Sequence, residues 1–363
     1  MNTNKKNSTI IFTGGGSAGH VTPNLALVKK CQEEHWQVVY VGSAKGIEKQ
    51  IISRTDIPYH SVATGKLRRY FSWQNFLDPF KIIFGILQAI FICWKLKPQV
   101  VFSKGGFVAF PVVVGAWLNR IPVICHESDL TPGFANRLSF PFAKLICVTF
   151  AETTRYFNAQ QKVVVTGTPI RASLLQGDAT KGREFCGFNS AKPIILVTGG
   201  GLGADPINVA IRAALPQLLE QFQIVHLCGK NKTDVKFDNI AGYKQFDYIN
   251  EEMADLFACA DLVVSRAGAN AIYELIALRK PNLLIPLSKK ASRGDQLLNA
   301  RYCQEKGLSE VLFEEDTTEK ALLAKINRLN DHKIQYLQNL TGFTLPDSIN
   351  SIYKLIAQGL SSY

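Results

Sequence analysis

Short apolar runs alternate with longer segments of helical periodicity along nearly the whole chain. Most of these runs lack the polar alternation of a strand that faces water, which is typical of strands buried on both faces of a parallel sheet. They predict strands at 9–13, 38–42, 99–103, 122–126, 144–149 and 163–167, and then at 193–198, 223–228, 243–249, 261–265, 282–287 and 310–313. Two such sets with covering helices indicate an α/β protein of two doubly wound domains.

A repeated glycine-rich turn supports this division. The sequence TGGG follows the first strand at Thr13 and also follows the first strand of the second half at Thr198. We therefore predict an N-terminal domain at 1–167 and a C-terminal domain at 168–345. The final helical run, 349–360, could return to the first domain.

The composition is that of a globular protein with a positive net charge. Of its 363 residues 47% are hydrophobic and 19% charged, and 41 basic against 29 acidic residues give a formal net charge of +12. This sign favours phosphorylated substrates or acidic lipid headgroups as partners. Nucleic acid is the least favoured partner, because the chain has no RNP motif, Cys/His finger or dense basic tract.

The cysteines and the longest apolar run bear on the compartment. Eight cysteines are scattered singly with no CxxC pair, so neither a zinc site nor a redox motif is predicted, and no signal peptide is apparent. This favours a reducing cytoplasm. The apolar run 82–94 is shorter than the ~20 residues that cross a bilayer, so we predict no membrane span.

A strand, a turn and a helix in the second half suggest a nucleotide-sugar pocket. Gly268 permits a tight turn, and the first N–H groups of a helix that begins at Ala269 would attract a phosphate. Glu274 in that helix could accept both hydroxyls of a ribose, and Gln296 follows the next strand, where a sugar could bind. The alternative is an ordinary turn with a solvated glutamate.

Two glycine-rich turns in the first half could hold a second phosphate group. After the first strand, Gly14, Gly15 and Gly16 bring main-chain N–H groups close to a ligand, as Gly105 and Gly106 could after the third predicted strand. These turns could equally serve packing alone.

His20 leaves the first of these turns and could act as a general base near neutral pH. Its alternative role is to cap the helix or to bond a loop carbonyl.

Polar residues also end the fourth predicted strand, at His126, Glu127 and Asp129, on the crevice side of the sheet. A metal site at His126 and Glu127 is disfavoured, because adjacent residues of a strand point to opposite faces. No Asp-x-Asp pair occurs, so positive charge and helix N-termini would have to neutralise a leaving diphosphate.

A basic cluster followed by aromatic residues suggests a helix that lies on an anionic membrane surface. Apolar residues at three- and four-residue steps fit either this role or a core helix. The candidate residues are Lys66, Arg68, Arg69, Trp73, Phe76, Phe80 and Phe84.

Ordered blocks across nearly the whole chain closely resemble the MurG family, the UDP-N-acetylglucosamine transferases that convert lipid I to lipid II in peptidoglycan synthesis. The blocks are TGGGSAGHVTPNLAL, SKGGFVAFPVVVGA, HESDLTPGFANR, GTPIR, TGGGLGADPIN, SRAGANAIYE and SRGDQLLNA. The resemblance implies the GT-B architecture, with two Rossmann-like domains that face each other across a cleft and a last helix, within 346–363, that returns to the N-terminal domain. It also implies that the protein is an inverting hexosyltransferase that acts in cell-wall biogenesis and so affects cell shape and division. The family resemblance implies no cofactor and no metal.

The resemblance also assigns individual residues. His20 matches the proposed base that deprotonates the C4 hydroxyl of the acceptor, and the glycines at 14–16 and 105–106 are assigned to the acceptor diphosphate. The UDP-GlcNAc contacts that it implies are Ser17, Ala18, Gly19, Asp129, Arg171, Gly201, Ile249, Asn250, Ala269, Asn270, Ala271, Ile272, Tyr273, Glu274 and Gln296. Glu274 would hold the ribose and Gln296 the sugar hydroxyls.

Several positions depart from the commoner family pattern. Ser17 and Ala18 stand where Thr-Gly is usual, and Gly201 replaces a serine that donates to phosphate. Asp129 and Asp295 replace uncharged residues and add negative charge near an anionic donor. These changes affect donor affinity more than reaction type.

The implied partners are UDP-GlcNAc, lipid I, the anionic inner-membrane surface and other cell-wall synthesis proteins, and the implied location is peripheral, on the cytoplasmic side of the membrane. Two alternatives of similar architecture stay open. A UDP-GlcNAc 2-epimerase would be an isomerase with a soluble substrate and no need of a membrane patch. A non-enzymatic nucleotide-sugar-binding protein would use Glu274 and Gln296 but not His20.

Overall fold

The computed structural model describes residues 8–65, 74–189, 191–289 and 292–358, and of 74–77 it describes only the main chain. The chain divides into two units. The first runs to Ile170 and resumes at Pro346, and the second is Arg171–Leu345.

The first unit is built on a parallel sheet. Its described strands are β1 (Thr9–Thr13), β2 (Gln37–Ser43), β3 (Tyr59–Val62), β4 (Val100–Ser103), β5 (Val123–Glu127), β6 (Leu145–Val148) and β7 (Val163–Val165). They lie in the order β3-β2-β1-β4-β5-β6-β7. The order reverses between β1 and β4, which places a ligand crevice outside the carboxyl ends of these two strands.

Helices cover both faces of this sheet. They are α1 (Thr22–Glu33), α2 (Ile47–Ile52), α3 (Gln74–Leu96), α4 (Ala109–Leu118) and α5 (Phe134–Ser139). Because successive strand residues point to opposite faces, Ile10 packs in a core with Leu27 of α1, whereas Ile11 packs in a second core with Ala89 of α3 and Val112 of α4. The burial of both faces explains why these strands appear as continuous apolar runs.

The second unit repeats this plan with a shorter sheet. Its described strands are β8 (Ile194–Thr198), β9 (Gln223–Leu227), β10 (Tyr243–Phe246), β11 (Leu262–Ser265), β12 (Asn282–Leu284) and β13 (Glu310–Val311). They lie in the order β10-β9-β8-β11-β12-β13, all parallel, so the crevice falls between β8 and β11.

The helices of this unit are α6 (Ala179–Cys186), α7 (Asp205–Gln221), α8 (Met253–Cys259), α9 (Ala269–Ala277), α10 (Asp295–Glu305), α11 (Glu319–Asp331) and α12 (Lys333–Gly342). Local signals set several of their ends. Asp178 caps α6 by accepting a hydrogen bond from the N–H of Thr180 at 2.8 Å, and Gly187 ends the helix in the left-handed conformation. Short 3-10 helices lie at Ala18–His20, Phe140–Phe142, Ala151–Tyr156, Ala172–Gln176, Val235–Phe237 and Glu314–Asp316.

The last described helix, α13 (Ser348–Gln358), belongs to the first unit. It packs against α1, and Ile352 and Ile356 are fully buried in the same core as Ile10. The eight cysteines are all free and buried.

Each predicted strand is present, but β3 was missed. Its sequence YHSV is short and partly polar, and it lies at the edge of the sheet, where one side of the strand has no neighbour. The sequence prediction was also wrong about the length of the helix that contains the apolar run 82–94. The helix α3 has 23 residues, and its segment Asp78–Leu96, 19 residues, is long and apolar enough to cross a membrane.

Candidate functional site

The two glycine-rich turns of the first unit meet at the predicted crevice. The N–H of Gly15, after β1, donates to the carbonyl oxygen of Gly105, after β4, at 3.2 Å. Gly106 has a φ of +83°, and a Cβ there would collide with the Gly15 carbonyl oxygen. Glycine is therefore required for the two turns to pack directly on each other.

His20 lies beside these turns at the end of the short helix Ala18–His20. Its Nδ1 is 2.9 Å from Ser17 Oγ, and a Cβ on Gly106 would lie 3.3 Å from the same nitrogen. Ser17, Ala18 and Gly19 are exposed, and His20 is half-buried. The structure thus brings a hydroxyl and an imidazole together at the carboxyl end of β1.

A buried glutamate that sequence reasoning missed supports the first turn. Glu48, on α2, is fully buried, and its carboxylate accepts hydrogen bonds from Gly16 N at 3.1 Å, from Ser43 N at 3.1 Å and from the Ser43 hydroxyl. A Cβ on Gly15 would lie only 2.6 Å from Glu48 Cδ. The glycines of the turn therefore make room for this carboxylate.

This contact changes the expected role of the glycine amides. The N–H groups of Gly15 and Gly16 already donate within the protein, and the N–H of Gly105 lies 3.3 Å from Ser103 Oγ. A diphosphate could use these three amides only if the turns rearranged. The Glu48 carboxylate occupies the position where a phosphate oxygen would meet Gly16 N. For Gly14 and Gly106 the assignment stays a prediction.

The residues that follow β5 form a hydrogen-bonded cluster. The Glu127 carboxylate accepts from Asp129 N and Gly133 N, both at 3.0 Å, and from Asn136 Nδ2 at 2.8 Å. Asp129 itself is half-buried at the strand end. His126 is fully buried, with Nε2 2.8 Å from the carbonyl oxygen of Gly167 and Nδ1 2.8 Å from Lys104 Nζ.

In the part of the chain that the structure describes, no group of three or more His, Cys, Asp or Glu side chains is placed to hold a metal ion.

In the second unit the turns after β8 and β11 each contain a glycine with open space beside it. A Cβ on Gly201 or on Gly268 would meet no atom within 4 Å, so a ligand can approach the main chain at both. As predicted, a helix begins at Ala269, and Ile272 N donates to the carbonyl oxygen of Gly268 at 3.0 Å. The first amides of a helix have no acceptor within it, so those of Ala269 and Ala271 can donate to a phosphate.

Glu274 and Arg171 interact electrostatically in this unit. Burial raises the pKa of the Glu274 carboxyl group, and the positive charge of Arg171 lowers it in part. The Nε of Arg171 is buried and finds no hydrogen-bond acceptor among the described residues. An anionic ligand would supply that acceptor.

Several other residues that were predicted to contact the donor have buried side chains and could contact it only through main-chain atoms. The side chains of Ile249, Ala269, Ile272 and Tyr273 are all buried. Asn250 is exposed and accepts a hydrogen bond from the Tyr248 hydroxyl at 2.8 Å.

Gln296 and Asp295 lie in the first turn of α10. The Gln296 Oε1 accepts from Leu287 N at 3.0 Å, so its amide NH₂ is the group left to donate to a sugar hydroxyl. Asp295 lies 3.6 Å from the Arg293 guanidinium, and it is the first residue of its helix. Both features offset the added negative charge of this departure from the family pattern.

The predicted membrane patch is partly visible. Lys66, Arg68, Arg69 and Trp73 lie outside the described residues, as does the side chain of Phe76. Along α3 the exposed apolar side chains form one continuous face at three- and four-residue steps. They are Phe80, Ile83, Phe84, Leu87, Phe91 and Trp94, each more than half exposed.

The chain matches a known pair of domains. Residues 10–148 match the glycosyltransferase family 28 N-terminal domain, and residues 194–352 match the glycosyltransferase family 28 C-terminal domain.

Curated relatives share half or more of the sequence over almost its whole length. A protein from Legionella pneumophila (strain Paris) is 55% identical over 350 residues, covering 96% of both chains. One from Geobacillus thermodenitrificans (strain NG80-2) is 53% identical, covering 96% of this chain and 98% of the relative. Both are named UDP-N-acetylglucosamine--N-acetylmuramyl-(pentapeptide) pyrophosphoryl-undecaprenol N-acetylglucosamine transferase.

Solved structures agree at the level of fold. MurG of Acinetobacter baumannii superimposes with a TM-score of 0.77 at 27% identity, covering 97% of this chain and all of that one. UDP-GlcNAc 2-epimerase of Neisseria meningitidis, solved with UDP-GlcNAc, superimposes with a TM-score of 0.67 at 15% identity, covering 97% of this chain and all of that one. That identity shows a shared fold alone.

Proposed function

The chain belongs to the MurG family within glycosyltransferase family 28, and we propose how its residues divide the reaction between them. The enzyme transfers N-acetylglucosamine from UDP-N-acetylglucosamine to the muramyl sugar of lipid I and thereby forms lipid II for peptidoglycan synthesis. The observation that carries the residue assignment is the contact between Ser17 and His20 at the carboxyl end of β1, because it provides an oriented base at the crevice of the first unit.

The reaction is a single displacement. The C4 oxygen of the acceptor forms a bond to the anomeric carbon of the donor, the bond from that carbon to the UDP oxygen breaks, and the configuration inverts. His20 Nε2 takes the hydroxyl proton. For this role Nδ1 must carry the other hydrogen and donate it to Ser17 Oγ, and the distance of 2.9 Å fits such a bond.

We propose that the second unit binds the UDP group. Glu274 accepts the ribose hydroxyls, the amides at the start of α9 bind the diphosphate, and Arg171 neutralises part of its charge. This arrangement is supported by the open space at Gly201 and Gly268 and by the orphaned Nε of Arg171. Negative charge that develops on UDP as the bond breaks is stabilised by the same amides. No metal is needed in this scheme.

We propose that the exposed face of α3 rests in the membrane surface, so that the enzyme meets its lipid-linked acceptor there. The opposite face of the helix is committed to the protein, because Ala89 and Cys93 are buried in the core and a Cβ on Gly85 would collide with the Ala63 carbonyl. A helix that packs in this way lies along the interface and does not cross the bilayer.

One assay separates the enzyme from its alternatives. Incubation with UDP-GlcNAc and a lipid I analogue should release UDP only when the acceptor is present. UDP-ManNAc without acceptor would identify an epimerase, and binding without turnover would identify a nucleotide-sugar-binding protein.

The base assignment is tested by His20→Ala, which should lower kcat by about 10²–10⁴-fold. The matched control His332→Ala removes an exposed histidine whose Nδ1 is 2.9 Å from the Arg328 carbonyl oxygen, in the second unit, and should leave kcat unchanged. Near-normal turnover of His20→Ala would refute the assignment.

A further inference from the structure

Glu314, in the short 3-10 helix after β13, is an enclosed carboxylate that no sequence motif marks. Its side chain is 14% exposed and forms an ion pair with the guanidinium of Arg266, which is 11% exposed. The other carboxylate oxygen, Oε1, accepts a hydrogen bond from Ser288 N at 3.4 Å. Arg266 in turn donates from Nη1 to the carbonyl oxygen of Ile285 at 3.1 Å. These contacts join the ends of β11, β12 and β13 at the carboxyl edge of the second sheet.

The segment 285–288, which these contacts hold, is also the one to which Gln296 is bonded. Leu287 N donates to Gln296 Oε1 at 3.0 Å, and the next amide along the chain is the one that bonds Glu314. The helix that carries Gln296, α10, is held separately, because Asn299 Nδ2 donates to the Ala267 carbonyl oxygen at 3.2 Å. Glu314 therefore fixes where the Leu287 amide lies, and that amide fixes how the side chain of Gln296 is turned.

The partner of Glu314 belongs to the turn that serves the other half of the donor. Arg266 lies two residues before Gly268, in the turn that leads to the α9 amides proposed for the diphosphate. Separation of an enclosed ion pair would leave two uncompensated charges, so the pair resists being pulled apart. It thus fixes the segment 285–288 relative to the turn after β11.

We propose that Glu314 is a positioning residue for the donor sugar: it holds the segment 285–288 so that the amide NH₂ of Gln296 faces the hydroxyls of N-acetylglucosamine. This role rests on the proposed function and on the assignment of Gln296 to the sugar. Glu314 itself touches neither the sugar nor the diphosphate in this scheme. Loss of its carboxylate should therefore weaken the binding of the sugar and spare that of the UDP group.

The contribution of the sugar is measured as the ratio of the Kd of UDP to the Kd of UDP-GlcNAc, both by calorimetry with the full-length enzyme. One hydrogen bond to a sugar hydroxyl should contribute about 2- to 12-fold to this ratio. Glu314→Ala should lower the ratio by about 5- to 10-fold and change the Kd of UDP by less than about 3-fold. Glu314→Gln keeps an oxygen that can accept from Ser288 N, so it should restore the ratio to within about 2-fold of wild type.

A double-mutant cycle with Gln296→Ala separates positioning from a merely structural effect. If Glu314 acts through Gln296, Glu314→Ala should lower the ratio in the wild type but not further in the Gln296→Ala background. Losses that multiply in the double variant would overturn the inference. Equal losses in Glu314→Gln and Glu314→Ala, or an unchanged ratio in Glu314→Ala, would overturn it as well.

Glu310→Ala is the matched control for the loss of an enclosed carboxylate. Glu310, on β13, is buried, forms an ion pair with Lys325 of α11 and accepts from the hydroxyl of Tyr336 of α12 at 2.7 Å. Because these partners do not belong to a donor-binding turn, Glu310→Ala should lower the melting temperature and leave the ratio as in wild type. A ratio that fell as far as in Glu314→Ala would contradict a specific role of Glu314.

The outcomes also separate this inference from the proposed function. If the wild type did not bind UDP-GlcNAc, or if Gln296→Ala left the ratio unchanged, the donor site as proposed would fail and the inference with it. A ratio that falls in Gln296→Ala but not in Glu314→Ala would remove only the role of Glu314.

Discussion

Replacement of Glu48 by alanine should destabilise the first unit and slow catalysis together, because one buried carboxylate supports the turn that leads to His20. The substitution removes the acceptor of two main-chain N–H groups, Gly16 and Ser43, each at 3.1 Å, and of the Ser43 hydroxyl. The glycines that crowd this carboxylate would then border an empty space.

The expected loss of stability follows from these bonds. A buried donor left without its partner costs about 1–3 kcal/mol. Gly16 is exposed and its N–H can bond water instead, so the total loss of unfolding free energy should be about 3 kcal/mol. In a unit of this size, about 3 kcal/mol lowers the melting temperature by about 6–12 °C. Because the freed turn no longer holds His20 in place, kcat should fall by about 10-fold while the affinity for UDP-GlcNAc changes less than about 2-fold.

Thermal unfolding and turnover of a lipid I analogue measure both effects. Glu48→Gln keeps one accepting oxygen and should fall between alanine and wild type. Glu33→Ala serves as the matched control, because Glu33 is an exposed glutamate of α1 in the same unit, and a surface substitution usually changes stability by about 0.5 kcal/mol or less. If Glu48→Ala melted within about 2 °C of wild type with an unchanged kcat, the supporting role of this carboxylate would be refuted.

Three further outcomes test separate parts of the assignment. Ser17→Ala should lower kcat by about 10-fold with little change in the KM for UDP-GlcNAc, and Ser17→Thr, which keeps the hydroxyl, should restore most of the activity. Glu274→Gln should weaken UDP-GlcNAc binding by about 10-fold and reduce the preference over the 2′-deoxyribose analogue, because the ribose loses its anionic acceptor; unchanged discrimination would exclude the ribose contact. The double substitution Phe80→Ser and Phe84→Ser should reduce sedimentation with vesicles of anionic phospholipid, whereas Val235→Ser, which alters an exposed apolar side chain of the second unit, should not. Equal sedimentation of both variants would count against α3 as the contact surface.

The central strands could be predicted from the sequence because they are buried on both faces. A strand such as β1 leaves a continuous apolar run, and the crevice then follows from the carboxyl ends of parallel strands. The edge strand β3 could not be found in this way, because its partly exposed sequence YHSV leaves no such run. The extent of α3 was underestimated, because the helix continues through Asp78 and Lys81 before the apolar run and through Lys95 after it.

The site was predictable where a local motif determines it and hidden where the fold brings distant residues together. The turns that lead to His20 and Glu274 could be predicted from local glycine motifs, and the roles of the two residues stay predictions. Glu48 could not be predicted in this way, because its bond to Gly16 spans 32 residues of the chain and depends on the position of α2. The structure shows that the glycines at 42 and 46 also make room for this residue, because a Cβ at either position would meet the Glu48 side chain.

Two of the departures from the family pattern place an aspartate near a positive charge. Asp295 lies beside Arg293, at 3.6 Å, at the start of a helix, and the charge of Asp129 acts on the buried ammonium of Lys104. Buried charges are screened little by salt, whereas exposed charges lose their effect over about 8 Å at physiological ionic strength. The net charge of +12 therefore acts mainly at the surface, where it can attract an anionic membrane, while donor affinity depends on a few enclosed groups. A substitution on the surface should thus change where the enzyme resides, and one beneath the glycine-rich turns should change what it binds.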